Sequence, residues 1–194
     1  MAIKYFYIFV KINSPVKLSS AELSMYLNTH LKFLFFCHSE IKSLKKALDY
    51  EGFKKEPFET KHKARNYFNQ NDYLLDKYIS SAKNRLPENE IMILLGFKKR
   101  ITSDFLILKS LKSYTIFIDM ENNIYGVHSL SDPLDEMLLL PVVVNMTILP
   151  FRDKIIYDGF INSYNMHIGP NMKRSYQDLL NENRKSKKII TRIN

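Results

Sequence analysis

The residues with the most chemical potential are acidic. Asp158, in the stretch "IIYDGFI", follows branched and aromatic residues and could act as a general base or hold a metal ion. Asp-Gly after such a run is also turn chemistry: the carboxylate caps its own backbone and the glycine supplies a positive φ. No cooperating motif surrounds Asp158. Residues 149–161, "LPFRDKIIYDGFI", therefore read as two short strands joined by a polar turn, with Asp158 marking a β-corner. Asp132, Asp135 and Glu136 could offer oxygen ligands to Mg²⁺ or Ca²⁺. The stretch lacks the alternating pattern of a calcium loop, and charges at the start of a helical turn complement its dipole without any metal.

Other constellations are weaker. Asp49 with Glu59-Thr60-Lys61 is a faint form of the Asp…Glu-x-Lys core of some nucleases, in which carboxylates hold Mg²⁺ and the lysine positions water. Those residues normally lie on adjacent strands, and here they are expected at a helix end and in a charged loop. His30, His38, His62, His128 and His167 show no H-x-x-x-H or H-E-x-x-H spacing. His128 and His167 both fall in β-like runs that could bring them together. Phosphate-cradling and nucleophile-elbow motifs are missing from the sequence, and five glycines leave little material for such loops. Cys37, the single cysteine, excludes an intramolecular disulfide framework; in "KFLFFCHSE" it reads as a buried thiol.

The basic residues form two groups. Lys98, Lys99 and Arg100 lie in "GFKKRITSDF". Lys173, Arg174, Arg184, Lys185, Lys187, Lys188 and Arg192 crowd the last 24 residues, opposed only by Asp178 and Glu182. A basic C-terminal helix beside a small barrel rich in Tyr and Phe would suit nucleic acid, through phosphate contacts and stacking. The plainer alternative is a solvated helix face with a frayed tail. The net charge of +9 favours polyanions, although lysine spread along a chain rich in Asn, Ile and Tyr is also the mark of AT-rich coding.

These groups must be positioned by a chain of 194 residues, enough for one domain. An apolar content of 45% permits a real core, and thirteen Phe and twelve Tyr without Trp make it a core of rings. The opening "IKYFYIFVKI" could be a strand or a buried helix. Its six-residue apolar run falls far short of the roughly 18 needed to span a bilayer. No signal-peptide pattern opens the sequence, which points to the cytoplasm and away from membranes.

Helices are expected from the Ser19–Glu22 cap onward, with Leu23, Tyr26, Leu27, His30, Leu31 and Leu34 at helical spacing. A second helix is expected from an N-cap at Ser39 to a stop at Gly52, then a loop over 53–62. A helix or helix pair over 63–86 would bury Tyr67, Phe68, Leu74, Leu75, Tyr78 and Ile79, and another would open at Pro87. From about residue 103 the pattern changes to short β-branched and aromatic runs: "DFLILKSL", the hairpin "SYTIFIDMENNIYGVHSL", "PVVVNMTILPF", "DKIIYDGFI" and "NSYNMHIG". "SDPLDEML" reads as a helical turn capped by Ser131 or Asp132, and a helix follows Gly169-Pro170.

The stretches "LKSYTIFIDMENNIYGVHSLSDPLDEML" and "LPVVVNMTILPFRDKIIYDGFI" resemble a bacterial protein family with no assigned activity. Its pattern includes a "YGV…LSDPFDEML"-type hairpin and turn and an "LPFxxKIIYDG" segment. The resemblance covers roughly residues 65–169 and implies a shared domain but no mechanism. It also leads one to expect glycine in the turn after Phe151, where this sequence has Arg152-Asp153.

The expected fold is α+β: a helical N-terminal half (1–100), then a small antiparallel β-sheet or barrel with a C-terminal helix (101–194), forming one compact unit. The expected function is that of a non-enzymatic cytosolic binding protein without a cofactor. Its partner would be nucleic acid or an acidic protein, engaged through Lys98, Lys99, Arg100, Lys173, Arg174, Arg184, Lys185, Lys187 and Lys188. By analogy with other small, motif-poor basic proteins, an accessory or inhibitor role in a bacterial conflict system fits. The alternative is a metal-dependent hydrolase or nuclease using Asp119, Asp132, Asp135 and Asp158.

Overall fold

The computed structural model describes residues 17–41, 48–82, 85–164, 166 and 168–193. The opening apolar stretch and His167 lie outside them. Helix α1 (Ser20–Ser39) starts with a full capping box: Ser19 accepts from the Glu22 amide and the Glu22 carboxylate accepts from the Ser19 amide. Its buried face is Tyr26, His30, Phe33, Leu34 and Cys37, while Leu27 is exposed.

Of the second helix expected from Ser39 to Gly52, residues 42–47 lie outside the described residues, and both ends differ from expectation. Ser39 ends α1, with its hydroxyl donating back to the Phe36 carbonyl, and does not cap a new helix. Helix α2 (Tyr50–Lys55) is capped by Asp49, which accepts from the Gly52 amide at 2.7 Å, so Gly52 lies inside the helix. Most of the expected loop over 53–62 is helical as well. Pro57 sits at the N-cap of α3 (Phe58–Gln70), where its missing N–H costs nothing, and Glu59 occupies the positive first turn. Helices α4 (Tyr73–Ala82) and α5 (Glu88–Gly96) complete the layer, and a 3-10 turn (Phe97–Lys99) leads into the strands.

The strands are β1 (Ile101–Ser110), β2 (Thr115–Asp119), β3 (Ile124–His128), β4 (Val142–Phe151) and β5 (Lys154–Ser163). Pairing runs β1-β2-β3-β5-β4 and returns from β4 to β1, closing a five-stranded barrel. Four pairs are antiparallel. The β3–β5 pair is parallel and involves only Val127–Ile155 and His128–Ile156. Asn162 and Ser163 of "NSYNMHIG" prolong β5, so that stretch does not begin a strand of its own. Between β3 and β4, α6 (Leu134–Met137) has Pro133 at its N-cap; the Ser131 hydroxyl instead donates to Asp132.

Alternation along β1 divides the apolar residues. Phe105 and Ile107 join the main core with Phe117, Val127 and Val144; Leu106 and Leu108 join a second core with Ile116, Ile118 and Ile124. The main core continues without a break into the helices through Phe33, Phe68 and Phe97. Consecutive buried residues in β5 (Ile155, Ile156, Tyr157) show a strand covered on both faces.

The second core is closed by α7 (Pro170–Lys185), whose Leu180 is fully buried against it. Burial of one leucine contributes about 2 kcal/mol. The helix ends in a Schellman motif: the Lys188 amide donates to Asn183 O at 2.9 Å, the Lys187 amide to Arg184 O, and Lys187 takes the left-handed conformation at φ 54°. The chain then turns back along β3. Ile190 donates to Ile124 O at 2.8 Å and accepts from the Gly126 amide at 2.9 Å, occupying backbone sites that the short β3–β5 pairing leaves open. The basic tail is therefore not a frayed end.

Candidate functional site

Asp158 lies in the body of β5, not at its end. The β4–β5 register shifts between Met146 and Ile148, and opposite this step Asp158-Gly159 form a bulge with Gly159 at φ 97°. The Asp158 carboxylate accepts from the Phe160 amide, the local capping anticipated from the sequence. Its other oxygen accepts from Arg65 Nε of α3 at 2.7 Å, and both residues are buried. The Arg65 guanidinium also donates to Thr147 at 2.8 Å and to Asn66 at 3.1 Å. Burial pushes the Asp158 carboxyl upward, opposed by Arg65 and the Phe160 amide. His30 packs nearby against Phe97 and Phe160, and burial beside Arg65 lowers its pKa to about 3, so it is neutral at pH 7. The fully buried Tyr26 hydroxyl has no hydrogen-bond partner among the described residues. The arrangement clasps helices to barrel.

The other candidate carboxylates hold their own local structure. Asp119 accepts from the amides of Glu121 and Asn123 and from the Tyr125 hydroxyl, fixing the β2–β3 turn. Asp132, just before α6, and Asp135, in its first turn, are exposed. Asp49 caps α2, Lys61 donates to the Glu56 carbonyl, and Glu59 and Thr60 belong to α3, so the nuclease-like set lies on helices. Among the described residues, no cluster of three His, Cys, Asp or Glu side chains could hold a metal ion. Cys37 is fully buried, and burial pushes its thiol pKa up, away from nucleophilic use. No described helix is long and apolar enough to cross a membrane.

The basic residues sort into three settings. Arg100 is engaged internally: its guanidinium lies 4.0 Å from the Phe68 ring centroid and donates to Asn69, the Phe97 carbonyl and Asp72. Lys98 and Lys99 stand on the surface after α5, with Lys98 paired to Asp76. The third setting is α7 and its tail, where Lys173, Arg174, Arg184, Lys185, Lys187, Lys188 and Arg192 are all exposed.

Among the described residues, none of these seven cations lies in an ion pair. In the helical half, by contrast, Lys32, Lys77 and Lys98 pair with Glu90, Glu40 and Asp76. Lys173, Arg174, Gln177, Asn181, Arg184 and Lys185 share one side of α7 by their spacing. Gln177 links that side to the barrel by accepting from Lys109 at 2.7 Å, and donates to Asn181 at 3.0 Å. The cations span about 18 Å of helix at 1.5 Å per residue. Most of the barrel's rings are inside it: Phe105, Phe117, Phe151, Tyr125 and Tyr157 are buried, whereas Tyr164, just after β5, is exposed.

No family model, no curated protein and no solved structure matches the chain.

Proposed function

We propose that the protein is a non-enzymatic binding protein whose α7 face and C-terminal tail engage the phosphates of a nucleic acid. One observation carries this reading: seven exposed cations lack carboxylate partners among the described residues, on an element anchored by Leu180 and by the pairing of Ile190 with β3. Anchoring fixes the element that carries the charges, so little ordering entropy is lost on binding. Repulsion among like charges at this spacing costs stability, and a polyanion relieves it.

With most of the barrel's rings buried, the recognition relies chiefly on phosphate contacts. It is therefore expected to be strong at low salt and indifferent to base sequence. The variant Lys173→Gln/Arg174→Gln/Arg184→Gln/Lys185→Gln tests the assignment by fluorescence anisotropy with a labelled 20-nucleotide DNA. At least a tenfold loss of affinity is expected, with no loss in a Lys54→Gln/Lys77→Gln control on the helical half. Equal effects of the two variants would contradict it.

A further inference from the structure

On the side where α5 meets the β4–β5 hairpin lies a cleft of about 580 Å³. That volume is within the roughly 300–1,000 Å³ range of small-ligand pockets. Its wall comes from Met25, Met92, Ile93, Pro150 and Phe151, with Ile193 of the C-terminal tail along one side. Met92 and Leu95, both apolar helix residues, are exposed at 65% and 39%. The floor is tight because α5 approaches β4 closely: a Cβ on Gly96 would meet the Pro150 carbonyl oxygen at 2.6 Å.

The charged residues lining the cleft are all cations, namely Lys98, Lys99 and Arg152. Lys98 is matched by Asp76. Arg152 lies 3.6 Å from Glu22, whose carboxylate is already held at 2.7 Å by Lys154 and by the Ser19 cap. Arg152 also occupies the left-handed region, at φ 55°, where glycine or asparagine is the unstrained choice. That conformation belongs to the two-residue turn of the β4–β5 hairpin, and it fixes the Arg152 backbone at the mouth of the cleft.

We propose that this cleft binds an aliphatic monocarboxylate, with its chain against the flexible thioethers of Met25 and Met92 and its carboxylate held by Arg152 and Lys99. Unbranched, polarizable methionines adapt to a flexible chain better than to a rigid ring. One negative charge suits a rim in which two of three cations already have a carboxylate neighbour, and a guanidinium can grip a carboxylate with two parallel bonds.

The probe is decanoate, titrated calorimetrically against the full chain, beside decyltrimethylammonium and decanol as cationic and neutral matches of the tail. Decanoate is expected to bind at micromolar concentration and to raise the melting temperature. Both matches should bind at least tenfold more weakly. Arg152→Gln/Lys99→Gln should lose at least tenfold in decanoate affinity while melting at the unliganded wild-type temperature. The proposal is overturned if the three probes bind alike, if the double variant stays within twofold of wild type, or if only an acidic leucine-rich peptide occupies the cleft.

Discussion

Arg65 and Asp158, 93 positions apart in sequence, meet as a buried ion pair at 2.7 Å between α3 and β5. A charge removed from such a pair leaves the other uncompensated in a buried interface. Asp158→Ala or Arg65→Ala should each cost roughly 3–5 kcal/mol in urea unfolding. The double variant Arg65→Met/Asp158→Leu, which leaves no orphan charge, should be more stable than either. If each single variant lost less than about 1 kcal/mol, the pair would not hold the layers together.

His30 gives the fold a sensitivity to acid. Its folded-state pKa of about 3 lies below the ordinary 6.5, so below pH 6.5 the unfolded chain binds a proton that the folded chain refuses. Its contribution to stability is complete above pH 6.5 and is lost as the pH falls toward 3. His38, His62 and His128 are also lowered by burial, so the informative quantity is a difference. Between pH 6 and 4, His30→Gln should flatten the stability slope by up to about 1.4 kcal/mol per pH unit. An unchanged slope would show that His30 is not excluded from protonation.

Glu22 works in the same direction at lower pH. Burial alone would raise its carboxyl, but Lys154 and the Ser19 amide and hydroxyl bring it down to about 2. The resulting stabilisation is present above the ordinary 4.5 and is lost as pH falls toward 2. Glu22→Gln should therefore destabilise at pH 7, on the order of 1–2 kcal/mol, and much less at pH 2.5. Thermal melts at the two pH values would decide it, and an equal loss at both would contradict the ion-pair account.

Lys187 separates stability from binding. It holds the left-handed position of the α7 Schellman motif, where glycine is favoured. Lys187→Gly should leave the fold as stable or improve it by up to about 1 kcal/mol while weakening DNA binding at low salt. A stabilised variant with unchanged DNA affinity would remove Lys187 from the interface.

These features show where the sequence was readable. The capping box at Ser19 and Glu22, the β4–β5 hairpin and the local role of Asp158 all follow from residues within a few positions of one another. The pairing of Arg65 with Asp158 is not legible in the sequence, because periodicity reports burial and not the pairing of distant charges. Its available signal was an arginine one turn before Phe68 on the buried side of α3. The end of α7 was also hidden, since Lys187 stands where a glycine would have announced it. Pro57 and Gly52 misled in the opposite sense, as breakers that a cap position and an Asp49 cap accommodate. The basic face was legible as charge, but its anchoring rests on the pairing of Ile190 with Ile124 and Gly126, residues more than sixty positions away.

The most direct test of the central claim is the salt dependence of DNA binding by the wild-type chain. With four to seven phosphate contacts, log K against log salt should fall with a slope of about −3 to −5 for a single strand, independent of base sequence. A slope near zero, or no binding at about 50 mM salt, would contradict a phosphate-binding role for α7.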